Sequence, residues 1–314
     1  MKIYRDPTEI PSNGPGRAVT IGAFDGVHLG HQAVLRLVRE LALARGLSAT
    51  VLTFDRHPAE VVRPGSAPKL LTTLEQKLEL LDATGAVDEC LVLPFDATRS
   101  KEPAEQFVEE LLASALHARL VVVGADFHFG YRRHGDVPLL QLMGAELGFE
   151  TIGLGLVAAA DRDAGVPYSS TRIRQLIATG DVEGAAVMLG RPHEVRGTVE
   201  RGDARGRELG FPTANVGVPE NVCLPADGVY AGTFTGADGV ERLAAISAGR
   251  RPTFYAEAGM FLLEAFVLDF DGDLYGQAAR VRFTRRIRGQ ERFDNVDDLI
   301  AQMHRDVEEV RRHG

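Results

Sequence analysis

Thr20-Ile21-Gly22-Ala23-Phe24-Asp25-Gly26-Val27-His28-Leu29-Gly30-His31-Gln32 decides how the first half of the chain is read. The apolar run Ala18 to Ile21 enters this stretch as a strand. Val34, Leu35, Leu37, Val38 and Leu41 leave it at helical spacing, with Gly46 as a stop. His28 and His31 therefore fall near a helix start, just past a glycine-containing strand-to-helix turn. Unpaired backbone N–H groups and the positive end of the helix dipole converge there and attract anions. Glycines let backbone approach a phosphate, and imidazoles add donors that strengthen as charge builds on phosphorus. A plainer reading gives one histidine to the helix cap and leaves the other solvated at the surface. Two histidines flanking one glycine at such a turn favour a nucleotide site.

Outward from this turn, strand and helix alternate up to about Leu189. Ser48 to Phe54, Glu89 to Leu93, Leu120 to Val123 and Thr151 to Val157 read as strands. Thr73 to Ala83, Pro103 to Leu116 and Asp136 to Leu147 read as helices. The unbroken run Leu120-Val121-Val122-Val123 suits a sheet covered on both faces. Such alternation predicts a parallel sheet with helices on its faces and ligands beyond the carboxyl ends of the strands. Thr53-Phe54-Asp55-Arg56-His57-Pro58 and Gly124-Ala125-Asp126-Phe127-His128-Phe129-Gly130 follow two further strands. Together with the histidine turn they are expected to make a polar and aromatic pocket, although for Phe127 and Phe129 taken singly core packing is the better reading.

The chain has 314 residues and a net charge of −9, with 45% hydrophobic and 25% charged residues. That length favours two domains, and the composition is that of an ordinary soluble protein. An acidic chain is not expected to bind nucleic acid or an anionic membrane surface. Cys90 and Cys223 have no metal or redox spacing and read as packing thiols in a reducing compartment. Met1 to Ile10 lacks a signal-type apolar core and no stretch reaches membrane-spanning length, so a cytoplasmic location is expected.

Ser169-Ser170-Thr171-Arg172-Ile173-Arg174 opens a helix ending near Gly180. Its hydroxyls suit a helix cap, and with Arg174 one turn inside they also suit a triphosphate. Paired with the histidine turn, this segment resembles the nucleotidylyltransferase superfamily, in which an H-x-G-H turn and a later S-S-T-x-x-R turn flank the phosphates of ATP. Gly22 to His28, Thr53 to Pro58 and Gly124 to Gly130 narrow the resemblance to the FMN adenylyltransferase module of bacterial FAD synthetases. The resemblance implies a Rossmann-like domain in which His28 and His31 stabilise the transferring phosphoryl group. It implies that Ser169, Ser170, Thr171 and Arg174 hold pyrophosphate, and that Gly22, Phe24, Asp25 and Gly30 lie at the nucleotide. Phe54, His57, Pro58, Asp126 and Phe127 would lie at the flavin.

After a short helix, Asp181 to Leu189, the segment Gly190-Arg191-Pro192 is the expected boundary, giving domains 1–189 and 190–314. Beyond it the period changes to two. His193 to Glu200, Gly228 to Phe234, Arg242 to Ser247, Phe261 to Phe270 and Ala278 to Phe283 alternate, with turn signals at Ala237-Asp238-Gly239 and Asp271-Gly272. This predicts a small antiparallel barrel. A helix from about Asn295, with the stripe Leu299, Ile300, Met303, Val307 and Val310, is expected to pack on it.

In this half, Gly202, Gly206 and Gly210 recur at four-residue intervals with Arg205 and Arg207 between them. The pattern suits either a phosphate cradle or an exposed basic hairpin. Thr213 and Asn215 follow as two oxygen ligands on one side of a strand, suited to Mg²⁺. Glu264 falls inside an apolar strand, on the phase of Phe266 and Leu268, as an outward residue or a partly buried base.

Gly210-Phe211-Pro212-Thr213-Ala214-Asn215, Pro252-Thr253-Phe254 and Leu268 to Gly276 resemble the riboflavin kinase family. That resemblance implies Mg-ATP bound by Gly202, Gly206, Arg207, Gly210, Phe211 and Pro212, with Thr213 and Asn215 at the metal. It makes Glu264 the base for the terminal ribityl hydroxyl, and places Arg288, Glu291 and Phe293 near the flavin. Both modules together resemble the bacterial FAD synthetase family and imply riboflavin, FMN, FAD and ATP as ligands. One working module, or a flavin carrier without catalysis, are the competing readings. Assembly into homo-oligomers is left open.

Overall fold

A computed structural model describes residues 1–155, 167–202, 210–250 and 261–313. The chain divides into two compact units, Met1–Ser169 and Ser170–Gly314.

The first unit is a six-stranded sheet in which all neighbours run parallel. Its strands are β1 (Lys2–Tyr4), β2 (Arg17–Ile21), β3 (Ser48–Phe54), β4 (Glu89–Leu93), β5 (Ala118–Gly124) and β6 (Glu150–Leu154), in the order β1-β4-β3-β2-β5-β6. The helices are α1 (Leu29–Arg45), α2 (Pro58–Val62), α3 (Leu74–Ala83), α4 (Ala104–Gln106, running on through Phe107–Ala115) and α5 (Val137–Leu147). Val121, Val123, Leu52 and Leu91 pack on α4 and its continuation. Val51, Cys90 and Val92 pack with Leu35 of α1 and Leu78 and Leu81 of α3, so the sheet is buried on both sides. The short strand β1, pairing Ile3 with Cys90, is not foreseen from the sequence. Three residues of mixed polarity are too few to show a period.

Chain order places β3 and β4 on one side of β2, and β5 and β6 on the other. The strand order therefore reverses between β2 and β5, and their carboxyl ends open the crevice where such sheets take ligands.

The second unit begins with α6 (Ser170–Thr179) and α7 (Val182–Leu189). Six antiparallel strands then close into a barrel in the order β10-β11-β8-β7-β12-β9. They are β7 (His193–Glu200), β8 (Thr213–Gly217), β9 (Gly228–Thr235), β10 (Glu241–Arg250), β11 (Phe261–Val267) and β12 (Ala278–Arg288). Val195, Val216, Tyr230, Phe234, Ile246, Leu263, Ala265 and Phe283 fill the interior. Helix α8 (Val296–His313) lies outside, with Val307 and Val310 packed on Ala231, Leu243, Phe266 and Leu268.

The unit boundary, after Ser169, falls well before the expected one at 189/190. Val182 of α7 is part of the barrel core, and the Ala226 N–H donates to the Ile177 carbonyl of α6 at 3.2 Å. The Gly190-Arg191-Pro192 turn is thus internal to the second unit. Among the described residues no helix is long and apolar enough to cross a membrane.

Candidate functional site

In the first unit the turn after β2 carries two strained residues, Phe24 at φ +50° and Val27 at φ +38°. Each costs of order 1–3 kcal/mol, which the surroundings must repay. Asp25 supplies one repayment. Expected beside a nucleotide, it is instead buried with its carboxylate turned inward. That carboxylate accepts from the Leu71 and Thr72 N–H groups at 3.0 Å each and from the Thr72 hydroxyl at 3.2 Å. Gly26 N–H donates to the same hydroxyl at 3.1 Å.

His28 is the N-cap of α1, its Nδ1 accepting the His31 N–H at 3.3 Å. A neutral His28 therefore carries its proton on Nε2. The His31 ring stacks on that of His28 at 3.6 Å and 17°, with Phe24 5.1 Å away on its other contact. A Cβ at position 30 would meet Tyr168 at 2.9 Å and the His28 ring at 3.1 Å, so only glycine fits there. The capping reading thus holds for His28, but neither ring is a free surface group. Burial first, then the charges of His28 and Lys77, hold His31 well below the usual histidine range. It is a neutral imidazole at physiological pH, and its enclosed Nδ1 has no hydrogen-bond partner among the described residues.

The other expected residues of this unit sit at the ends of β3 and β5. Phe54 meets Phe95 edge-on at 5.1 Å, and Phe127 stacks on Phe129 at 5.6 Å. His57 caps α2, accepting the Ala59 N–H at 3.1 Å, with Pro58 in its first turn. Asp126 is exposed beyond β5 and Gly22 lies against the Phe24 ring. Sequence reasoning missed Lys77, which periodicity assigns merely to a helix face. Its ammonium is buried and donates to the Ala23 carbonyl (3.2 Å), the Thr53 hydroxyl (3.1 Å) and the Phe54 carbonyl (2.8 Å). Ser169 ends this unit, while Ser170, Thr171 and Arg174 open α6 of the second.

In the second unit one row crosses the barrel through the paired positions Asn215, Glu264, Ser247, Val229 and Arg288. Its alternation partners Ala214, Leu263, Ala265 and Ile246 point inward, so the row lies on the outer face. The pairing of β11 runs without interruption, and the bulges lie in β12 against β9. Glu264 therefore does share a face with Phe266 and Leu268. That face is apolar because α8 covers it, which makes Glu264 both outward from the barrel and half-buried.

Between this face and α8 lies a cavity of about 600 Å³. It gathers Phe211, Thr213, Glu264, Arg288, Glu291 and Phe293, all expected from the sequence. Ser247, Gln290, Asp294 and Asp306, which carry no expected role, also line it, as do Leu299 and Met303 of the expected packing stripe. Gln290 donates to the Ser247 hydroxyl and the Ala248 carbonyl at 3.2 Å each. Arg288 is fixed by Asp306 at 2.7 and 2.9 Å, and its guanidinium stands 5.9 Å over the Phe293 ring. Phe211 meets Phe266 and His304 edge-on at 5.2 and 5.0 Å.

Asn215 Oδ1 is buried and has no hydrogen-bond partner among the described residues; it lies beside Thr213 and opposite Glu264. A buried amide oxygen left unpaired costs free energy unless something else binds it. Oxygen donors of this kind suit a hard divalent cation held partly by phosphates. Gly202 approaches so closely that a Cβ there would collide with the Asn215 amide. Gly210 has φ +85° with open space around it, and Pro212 is exposed. Gly206, Arg207 and Pro252-Thr253-Phe254 lie outside the described residues.

A family model described as FAD synthetase matches residues 10–171, and one described as riboflavin kinase matches residues 189–313. The bifunctional riboflavin kinase/FMN adenylyltransferase of Escherichia coli K12 is 38% identical over 309 residues, covering 98% of this chain and 96% of its own. The Haemophilus influenzae protein of the same name is 37% identical over 294 residues, covering 93% and 92%. A solved Streptococcus pneumoniae chain described as a macrolide-efflux protein superposes with a TM-score of 0.86 at 31% identity, over 98% of both chains.

Proposed function

This chain belongs to the bifunctional riboflavin kinase/FMN adenylyltransferase family, and we infer that it converts riboflavin to FMN at the barrel and FMN to FAD at the parallel sheet, with ATP in both steps. The observation that supports the kinase reading is one cavity gathering Glu264, Thr213, Arg288, Glu291 and Phe293, with Glu264 opposite the unpaired Asn215 oxygen.

In the kinase step Glu264 accepts the proton of the terminal ribityl hydroxyl as its oxygen attacks the γ-phosphorus of ATP and the bond to ADP breaks. Thr213 and Asn215 would hold Mg²⁺, which when bound would neutralise phosphate charge. The apolar side chains of α8, Leu299 and Met303, and the Phe293 ring offer a dry wall for the flavin ring. Arg288, anchored by Asp306, offers a fixed cation beside it.

In the adenylyl step the FMN phosphate oxygen attacks the α-phosphorus, and the bridging bond to pyrophosphate breaks. The imidazoles of His28 and His31 donate hydrogen bonds that strengthen as charge builds on the phosphoryl oxygens. Ser169, Ser170, Thr171 and Arg174 bind the leaving pyrophosphate. Cys90 and Cys223 are both buried and neither is in a disulfide, which supports a reducing compartment such as the cytoplasm.

A chromatographic time course of riboflavin with Mg-ATP tests both steps. FMN should rise first and then give way to FAD. Absence of both products overturns the reading, and riboflavin retained unchanged on the protein favours a carrier.

A further inference from the structure

The turn that carries His28 is held by a segment distant in sequence. Leu71 and Thr72, just before α3, bind the Asp25 carboxylate, and Thr72 also accepts from the Gly26 N–H. One turn into α3, Lys77 reaches the carbonyl of Ala23 at the start of the same turn. The Thr53 hydroxyl completes a triangle, accepting from Lys77 and donating to Ala23 at 3.3 Å. All three ammonium protons are thus spent on the carboxyl ends of β2 and β3, one donor on each of three acceptors. A buried lysine is costly in solvation, and the fold retains it where a leucine would serve packing alone.

We propose that Lys77 is a positioning residue for adenylyl transfer: its ammonium clamps the ends of β2 and β3 and so sets the turn from Gly22 to His28 against α1. This rests on the adenylyltransferase reading of the first unit. The clamp fixes Ala23, and through Phe24 and its ring contact the plane of His31. It also supplies positive charge. Burial first, and then the charges of His28 from the α1 cap and Lys77 from α3, keep His31 unprotonated. Burial draws Lys77 itself down from the ordinary lysine value, opposed by the nearby Asp25, Cys90 and Asp55.

The test uses the full chain, because riboflavin phosphorylation by the other unit reports on the same molecules. In Lys77→Met, kcat for FAD formation from FMN should fall about tenfold or more, the scale of a misoriented reacting group, with riboflavin phosphorylation within about twofold of wild type. Lys77→Gln keeps an N–H donor and should restore part of kcat. Loss of the cation should also move the acid limb of the kcat profile of Lys77→Met to higher pH, a change that a purely structural residue would not produce. Unchanged kcat and pH profile in Lys77→Met overturn the clamp. If Lys77→Met fails to fold, Thr53→Val decides: a fall in FAD formation with kinase activity retained supports the clamp, and no fall overturns it. A wild-type chain that makes no FAD from FMN overturns the adenylyltransferase reading along with the clamp, whereas wild-type FAD formation matched by Lys77→Met overturns the clamp alone.

Discussion

His31 lies with one ring nitrogen enclosed and its face against His28, so adding a proton there means burying a charge. The folded chain therefore takes up that proton only well below the usual value of 6.5, while the unfolded chain takes it up near 6.5. Where the unfolded state binds more protons, stability falls as pH falls. The first unit should lose up to roughly 1.4 kcal/mol per pH unit below about 6.5 on account of this residue. Hydrogen exchange of β2 and α1 amides between pH 7.5 and 5.5 measures it, and His31→Gln should flatten the slope. The place of His28 and His31 at a helix start was legible in the sequence because strand and helix periodicity meet at that turn. The burial and nearby charge that keep His31 neutral were not, since Phe24 and Lys77 reach it only through the turn and α3. Asp25 shows the converse. The resemblance implies a nucleotide contact for it, and its carboxylate here accepts from two backbone N–H groups and a hydroxyl.

Helix α8 turns the outer face of the barrel into a site. Its apolar stripe is plain in the sequence, but a stripe shows only that the helix packs, not what it covers. The covering creates the cavity, and the pair of half-buried Arg288 with buried Asp306 ties the helix to the last strand of the barrel. Removing one partner of a buried pair strands the other charge. Asp306→Ala should destabilise the second unit by about 3 kcal/mol in denaturant unfolding, and it should raise KM for riboflavin more than it lowers kcat. Adenylylation of supplied FMN should be unaffected. The same logic explains Glu264. Period two placed it correctly with Phe266 and Leu268, and only the position of α8 made that outward face a half-buried one.

Each unit has its own buried core. Chains carrying Glu264→Gln should fail to phosphorylate riboflavin yet adenylylate supplied FMN, while chains carrying His31→Ala should accumulate FMN. Mixed in solution, the two variants should together restore FAD formation from riboflavin, read in the same chromatographic assay. Failure of the mixture, with each single activity present, would mean that FMN does not leave the chain that makes it. The alternation of strand and helix, the later change to period two, and the glycine, histidine and hydroxyl motifs were determined by the sequence itself. These are local properties, set by side-chain periodicity and by what each residue type can donate, accept or ionise. The tertiary structure alone decided that α6 and α7 join the barrel, that its outer face is the lined one, that Asp25 turns inward and that Lys77 binds two strand ends. Burial and charge environment at those places depend on segments tens of residues apart, and no window of sequence contains them.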